Sequence, residues 1–227
     1  MEPNISPWRR AVCGDLTSCF DFSGGDAVPV RLPSVRAQAE RAAALKGRTT
    51  PPTPETSSLP SQAPGDRPAC PSPYRLACEE SIVTGGRIRL VFVNAGPRAA
   101  VFHVYDRKAL EAGPRRYTVE GGQRLEDVWD GADCDLQVMG PDGFHRRILG
   151  SGDALSARLE EGQGTATLIL TGTGTARLTT AAGTRSAAVA GEARLPVAEY
   201  DANGRFDLAV EWDGARREFA GRVWNTL

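Results

Sequence analysis

The chain has 227 residues, a formal net charge of −1, an apolar fraction of 41% and an aromatic fraction of 7%, with 25 Gly and 16 Pro. At about 100–200 residues per domain this is one large domain or two small ones, and the Gly- and Pro-rich balance is that of short strands joined by turns. A near-neutral chain with scattered Arg residues excludes nucleic acid as the expected partner, no apolar run reaches the ~18–20 residues that span a bilayer, and the start lacks the pattern of a secretory signal.

In chain order, "SPWRRAVCGDLTSCFDF" (6–22) comes first. Its Trp8, Val12, Leu16, Phe20 and Phe22 are too many large apolar groups for a free tail, since burying one is worth roughly 1.5–3 kcal/mol. Next, "PSVRAQAERAAALKG" predicts a short helix, with Ser34 to cap it and Gly47 past its end. Its apolar face is mostly alanine, so it is expected to dock on a neighbour. From Pro51 to Pro73 the text is Pro-rich and poor in large apolar residues, a linker or extended strap.

After Pro73 the pattern becomes short alternating runs. "YRLACEE" is followed by "GRIRLVFVNAG", with Ile88, Leu90 and Phe92 on one face, and by "AAVFHVYD". "RRYTVEGGQRLEDVW" reads as two strands around Gly121-Gly122, and "CDLQVMGPDGFHRRILG" as two around Asp142-Gly143. That makes about seven strands, as in a small sandwich. The second half echoes the first: "GTATLILTGTG" follows "GRIRLVFVNAG", and "FDLAVEWDGARREFAGRV" follows "CDLQVMGPDGFHRRILG", with Asp213-Gly214 beside Asp142-Gly143. The expected fold is mainly β: two tandem small antiparallel β-sandwich, immunoglobulin-like domains after a short N-terminal remnant, a helix and a Pro-rich linker.

Chemistry-bearing patterns are sparse. Cys13, Cys19, Cys70, Cys78 and Cys134 form no CxxC pair and read as buried thiols; in an oxidising compartment Cys13 with Cys19, or Cys70 with Cys78, could pair, leaving an odd thiol over. His103 is mid-strand and His145 lies just past a turn, so each reads as a satisfied surface or half-buried imidazole. There is no GxSxG, HExxH or P-loop, and "TGTGT" (171–175) has no helix after it to bind an anion. Asp15, Asp21 and Asp26 sit in the opening segment. Asp130, Asp133 and Asp135 form an acidic loop without EF-hand spacing, which reads as a plain turn. Trp129, Trp212 and Trp224 near strand ends read as core rather than as a lipid- or sugar-contacting surface. No catalytic, cofactor-binding or metal-ligating residue is assigned, and no cofactor is expected.

"NISPWRRAVCGDLTSCFDF", "PSQAPGDRPACPSPYRL", "VFHVYDR", "PRRYTVEGG" and "GPDGFHRRILG", in that order, resemble the C-terminal third of bacterial phosphocholine-preferring phospholipases C, of the haemolytic and non-haemolytic types, relatives of a bacterial acid phosphatase. The resemblance implies that residues 1–22 are the tail of a catalytic phosphoesterase domain missing upstream. It also implies that 23–73 is helix and linker, and that 74–150 and 151–227 are two β-sandwiches. The chain is then a non-catalytic accessory region, inactive alone, whose partner is that catalytic domain and whose other contact is a phospholipid membrane surface. The full-length protein is expected to be secreted or periplasmic. The alternative reading is a free-standing secreted β-sandwich module for sugar or protein.

Overall fold

The computed structural model describes residues 5, 6, 9, 13, 15–22, 34–45, 47, 70–131, 133–162, 164–198, 200 and 204–223. Two compact units are present, residues 23–68 forming one and residues 1–22 with 69–227 the other. In the smaller unit, helix α1 spans Val35–Ala44; the Ser34 hydroxyl accepts a hydrogen bond from the Ala37 amide at 3.3 Å, and none of the helix residues is buried. The cap and the alanine face are as the sequence predicts. No helix of the described residues is long and apolar enough to cross a membrane.

The larger unit is antiparallel β. The first half supplies seven strands: β1 (Leu76–Val83), β2 (Arg87–Asn94), β3 (Ala100–Asp106), β4 (Arg115–Val119), β5 (Gln123–Trp129), β6 (Asp135–Met139) and β7 (His145–Leu149). Strands β1-β2-β5 form one sheet, and β7-β6-β3-β4 belong to another. Ile88, Leu90 and Phe92 of β2 are buried together with Phe102 and Val104 of β3 and Leu136 and Val138 of β6, a core contributed by both sheets. The Asp142-Gly143 turn makes a true hairpin, with positive φ at both residues (59° and 78°) as a tight two-residue turn requires.

The Gly121-Gly122 pair does not. Strand β4 pairs with β3 and β5 pairs with β2, so the chain changes sheets there, as it does between β2 and β3. The reason is close backbone contact between the two crossovers: a Cβ on Gly121 would stand 2.8 Å from the Gly96 carbonyl oxygen, and one on Gly96 only 2.2 Å from that of Pro73. Buried Asn94 pins the same corner, donating to the carbonyls of Arg98 (2.7 Å) and Val119 (3.1 Å).

The second half has β8 (Leu155–Gly162), β9 (Thr165–Thr180), β10 (Gly183–Pro196), β11 (Arg205–Trp212) and β12 (Ala215–Arg222). Two of these strands are long. The first part of β9 pairs with β8, its last part with β11, and β10 runs beside it throughout. Gly172 (φ 129°) and Gly191 (φ 91°) face each other across that pairing. Where the first half breaks the corresponding strands by loops at 94–100 and 119–123, the second half keeps two continuous strands, β9 and β10, that carry paired glycines. A second core gathers Leu168, Leu170, Leu178, Phe206, Leu208 and Phe219.

The sequence predicts two tandem sandwiches; in the structure β12 pairs with β7, and a single nine-stranded sheet runs through both cores. Alternation along a strand identifies the faces it buries but not the neighbour at its edge.

Candidate functional site at the seam

Where β7 meets β12, Arg147 lies opposite Glu218, Arg146 opposite Phe219, and Arg217 opposite Ile148. Arg146 and Arg217 each stand four residues after the Asp of their Asp-Gly turn, so the register relates the two hairpins by a local two-fold axis. Both guanidiniums are buried, their side chains only 5% and 3% exposed, and each reaches a carboxylate of the other half. Arg146 Nη2 donates to Glu161 Oε1 of β8 at 2.7 Å, and Arg217 Nε donates to Glu80 Oε1 of β1 at 2.6 Å.

Backbone carbonyls take further donors. Arg146 Nη1 serves His145 and Ala220 (2.9 and 3.0 Å); Arg217 serves Leu149 through Nη1 (2.8 Å) and Ser151 through Nη2 (3.1 Å). Burial pushes the carboxyls of Glu80 and Glu161 above their ordinary values, and the facing arginines pull back against it. Such pairs contribute little net stability over an apolar pair, but removing one partner strands a buried charge.

Beside this brace lies a cavity of about 660 Å³, walled by Tyr74, Phe144, Leu159, Glu161 and Val223 and bordered by Asp142. Asp142 Oδ2 is buried without a hydrogen-bond partner, and burial raises its carboxyl to about 6. The Asp142 amide donates to Asp15 Oδ2 of the opening segment at 2.8 Å. The Phe22 ring sits 6.3 Å from that of Tyr74, and Arg98 donates to the Phe22 carbonyl at 3.2 Å. The opening segment is thus fastened at Asp15 and Phe22, while Leu16 (69%) and Phe20 (60%) remain exposed.

The other singled-out residues scatter. Asp135 is bound by Arg147 (2.8 and 3.0 Å), and Asp133 pairs with Lys108, so two of the three carboxylates in the 130–135 loop are already neutralised. Among the described residues, no group of three or more His, Cys, Asp and Glu side chains is placed to hold a metal ion. His103 is half-buried on β3, where burial and Arg116 lower its pKa. His145 is not surface or half-buried but 1% exposed, because β12 covers the edge of β7 that a single sandwich would leave open; its Nε2 lies 3.1 Å from Gln137 Nε2. Trp129 and Trp212 are core residues, and Trp212 donates to the Gly152 carbonyl at 3.0 Å. All five cysteines are free thiols, but against the expectation of burial only Cys134 is buried; Cys70 and Cys78 are half-buried, and Cys13 and Cys19 are exposed. Trp8, Val12, Asp26 and Trp224 lie outside the described residues.

Sequence reasoning missed Arg146, Arg217, Glu80, Glu161 and Asp142. The one available signal was an Arg-Arg pair following each Asp-Gly turn, in "DGFHRR" and "DGARR".

Residues 68–151 match the family model of the bacterial phospholipase C C-terminal domain. The non-hemolytic phospholipase C of Pseudomonas aeruginosa is 43% identical over 157 residues, covering 66% of this chain and 22% of the relative. That of Burkholderia pseudomallei is 40% identical over 154 residues, with the same shares. The hemolytic phospholipase C of P. aeruginosa is 37% identical over 185 residues, or 66% of this chain and 25% of the relative. The chain therefore spans a quarter or less of the length of these relatives. The residues matched by the family model coincide with the first core, β1 to β7; they contain Asp142, Glu80 and Arg146, whereas Arg217 and Glu161, the partners of Glu80 and Arg146, come from the strands that follow.

Proposed function

We propose that this chain is a non-catalytic accessory region of a bacterial phospholipase C that cleaves phosphatidylcholine-type lipids, and that it supports the catalytic domain or its access to substrate at a membrane. The observation that carries this reading is the family match of the whole first core, in a chain whose relatives are phospholipases C several times its length. The fastening of Asp15 and Phe22 to the β body supports a second element of it: residues 1–22 continue an upstream catalytic domain and join it firmly to the strands. The opening segment's exposed Leu16 and Phe20 are then contacts to that domain. We further read residues 74–150 and 151–227 as two copies of one unit, supported by their shared pairing order, and the full-length protein as secreted.

The test is deletion and replacement in the P. aeruginosa non-hemolytic enzyme. Removing the region that corresponds to this chain should reduce phosphocholine release from phosphatidylcholine or the yield of folded enzyme, and grafting this chain in its place should restore it. The chain alone should release none. A deletion that leaves both turnover and folding intact overturns the reading.

A further inference from the structure

We propose that two copies of this chain pair edge to edge along β10, antiparallel about a two-fold axis at Val189, as a homodimer with one continuous sheet. Strand β10 is an end strand of the nine-stranded sheet and runs for 14 residues, about 45 Å at the usual strand rise, with β9 as its neighbour on one side. The strand at the opposite edge of that sheet, β4, has only 5 residues.

The direction of each backbone group along β10 follows from its register. The Val197 amide donates to the Ala166 carbonyl at 2.9 Å, so every second residue of the pairing, from Leu195 back to Gly183, turns its backbone to β9. Thr184, Ser186, Ala188, Ala190, Glu192 and Arg194 turn theirs the other way. All six are exposed, and none of their amides or carbonyls is hydrogen-bonded among the described residues. Proteins blunt such edges with Pro, Lys or a covering loop, but here Pro196 stands only at the end of the strand, no Lys occurs along it and the six residues stay open to solvent.

The symmetry of that row selects a second copy as its partner. An antiparallel register centred on Val189 sets Thr184 against Arg194 of the other copy, Ser186 against Glu192 and Ala188 against Ala190. All six residues then form narrow pairs, each exchanging two N–H···O bonds, whereas a register centred on any other residue leaves some of the six unpaired. No like charges meet: Ser186 offers its hydroxyl to Glu192, Arg194 meets neutral Thr184, and Arg185 faces Ala193 on the inner side. Glu192 and Arg194 also arrive compensated by their own ion pair at 3.3 Å. Ala187 faces Gly191 and Val189 faces itself, so small side chains line the approach.

The experiment is sedimentation velocity on the whole 227-residue chain from micromolar to millimolar concentration, with amide hydrogen exchange read residue by residue at both ends of that range. A monomer–dimer equilibrium is expected. The amides of Ser186, Ala188, Ala190 and Glu192 should exchange slowly only in the concentrated sample, whereas those of Ala187, Val189 and Ala193, which face β9, should be slow in both.

Ala188→Pro removes one pairing amide per copy at a place where an edge strand tolerates proline, and should weaken association about thirty-fold, the scale of two hydrogen bonds per dimer. Ala188→Lys with Ala190→Lys sets like charges against each other on both sides of the axis and should weaken it about ten-fold. Ala188→Lys with Ala190→Glu should restore it, and both positions are exposed, so the fold is kept. A chain that stays monomeric throughout, a dimer indifferent to the paired lysines, or assemblies that grow beyond two copies, as pairing of β10 with β4 would give, overturns the proposal. So does a dimer whose β10 amides exchange equally at both concentrations, which is the mark of association through the exposed Leu16 and Phe20 instead. The measurements involve no catalytic domain, so their failure leaves the accessory reading to stand or fall on the deletion assay.

Discussion

Replacing Arg217 by methionine keeps an unbranched chain of similar length in the seam but removes the charge. Arg217 is 3% exposed in its side chain and donates to Glu80 at 2.6 Å, Leu149 at 2.8 Å, Arg216 at 3.0 Å and Ser151 at 3.1 Å. Glu80 is 11% exposed and its Oε2 already lacks a partner, so the variant strands a buried carboxylate. Breaking such a pair costs about 3–5 kcal/mol. Against a typical total of about 5–15 kcal/mol this is a large share, and for a unit of this size it lowers Tm by roughly 6–20 °C.

Urea unfolding of wild type, Arg217→Met, Glu80→Met and the double variant measures the coupling; the double variant should recover most of the loss, because an apolar pair leaves no charge behind. The pH dependence has a definite sign. Burial raises the Glu80 carboxyl above its ordinary value in the folded chain, so the stability it contributes is greatest below that ordinary value and is lost as pH rises through the raised one. Without Arg217 the carboxyl rises further, and the gap between variant and wild type should widen with increasing pH. A loss under about 1 kcal/mol that is insensitive to pH, the behaviour of an exposed ion pair, would refute the buried brace.

Gly172→Ala should destabilise far more than Gly191→Ala in thermal unfolding: a Cβ at Gly172 would stand 2.2 Å from the Ala154 carbonyl oxygen, whereas at Gly191 it meets nothing within 4 Å and only the positive φ is strained, at about 1–2 kcal/mol. Similar losses at both positions would mean that backbone strain alone matters there. Asp142 should titrate near pH 6 by carboxyl NMR; because its folded value lies above the ordinary 3.8, its contribution to stability declines as pH rises between the two, and Asp142→Asn should flatten that part of the stability profile. A midpoint at the ordinary carboxylate value contradicts the burial argument. In thiol labelling followed by mass spectrometry, exposed Cys13 and Cys19 should react first, half-buried Cys78, its thiol pushed by burial up to about 12, far more slowly, and buried Cys134 only in denaturant. Labelling of Cys78 at the rate of Cys13 would place it at the surface.

The sequence alone determined what local chemistry governs. Alternation fixed the seven strands of the first half and the buried faces of β2, and Asp142-Gly143 and Asp213-Gly214 fixed two hairpins, because two-residue turns demand positive φ. Ser34 fixed the start of the helix, and the quoted motifs pointed to the family whose model residues 68–151 match. Tertiary structure decided the edges. Nothing in a strand's period records its lateral neighbour, so the pairing of β7 with β12, the single sheet through both cores and the depth of His145 came only from the fold. The same limit hid the functional geometry: Arg146 meets Glu161 across 15 residues, and Arg217 meets Glu80 across 137. Each arginine in sequence is an ordinary polar residue beside a turn. It becomes a buried brace because the opposite half excludes water from it and supplies the one carboxylate that makes burial tolerable.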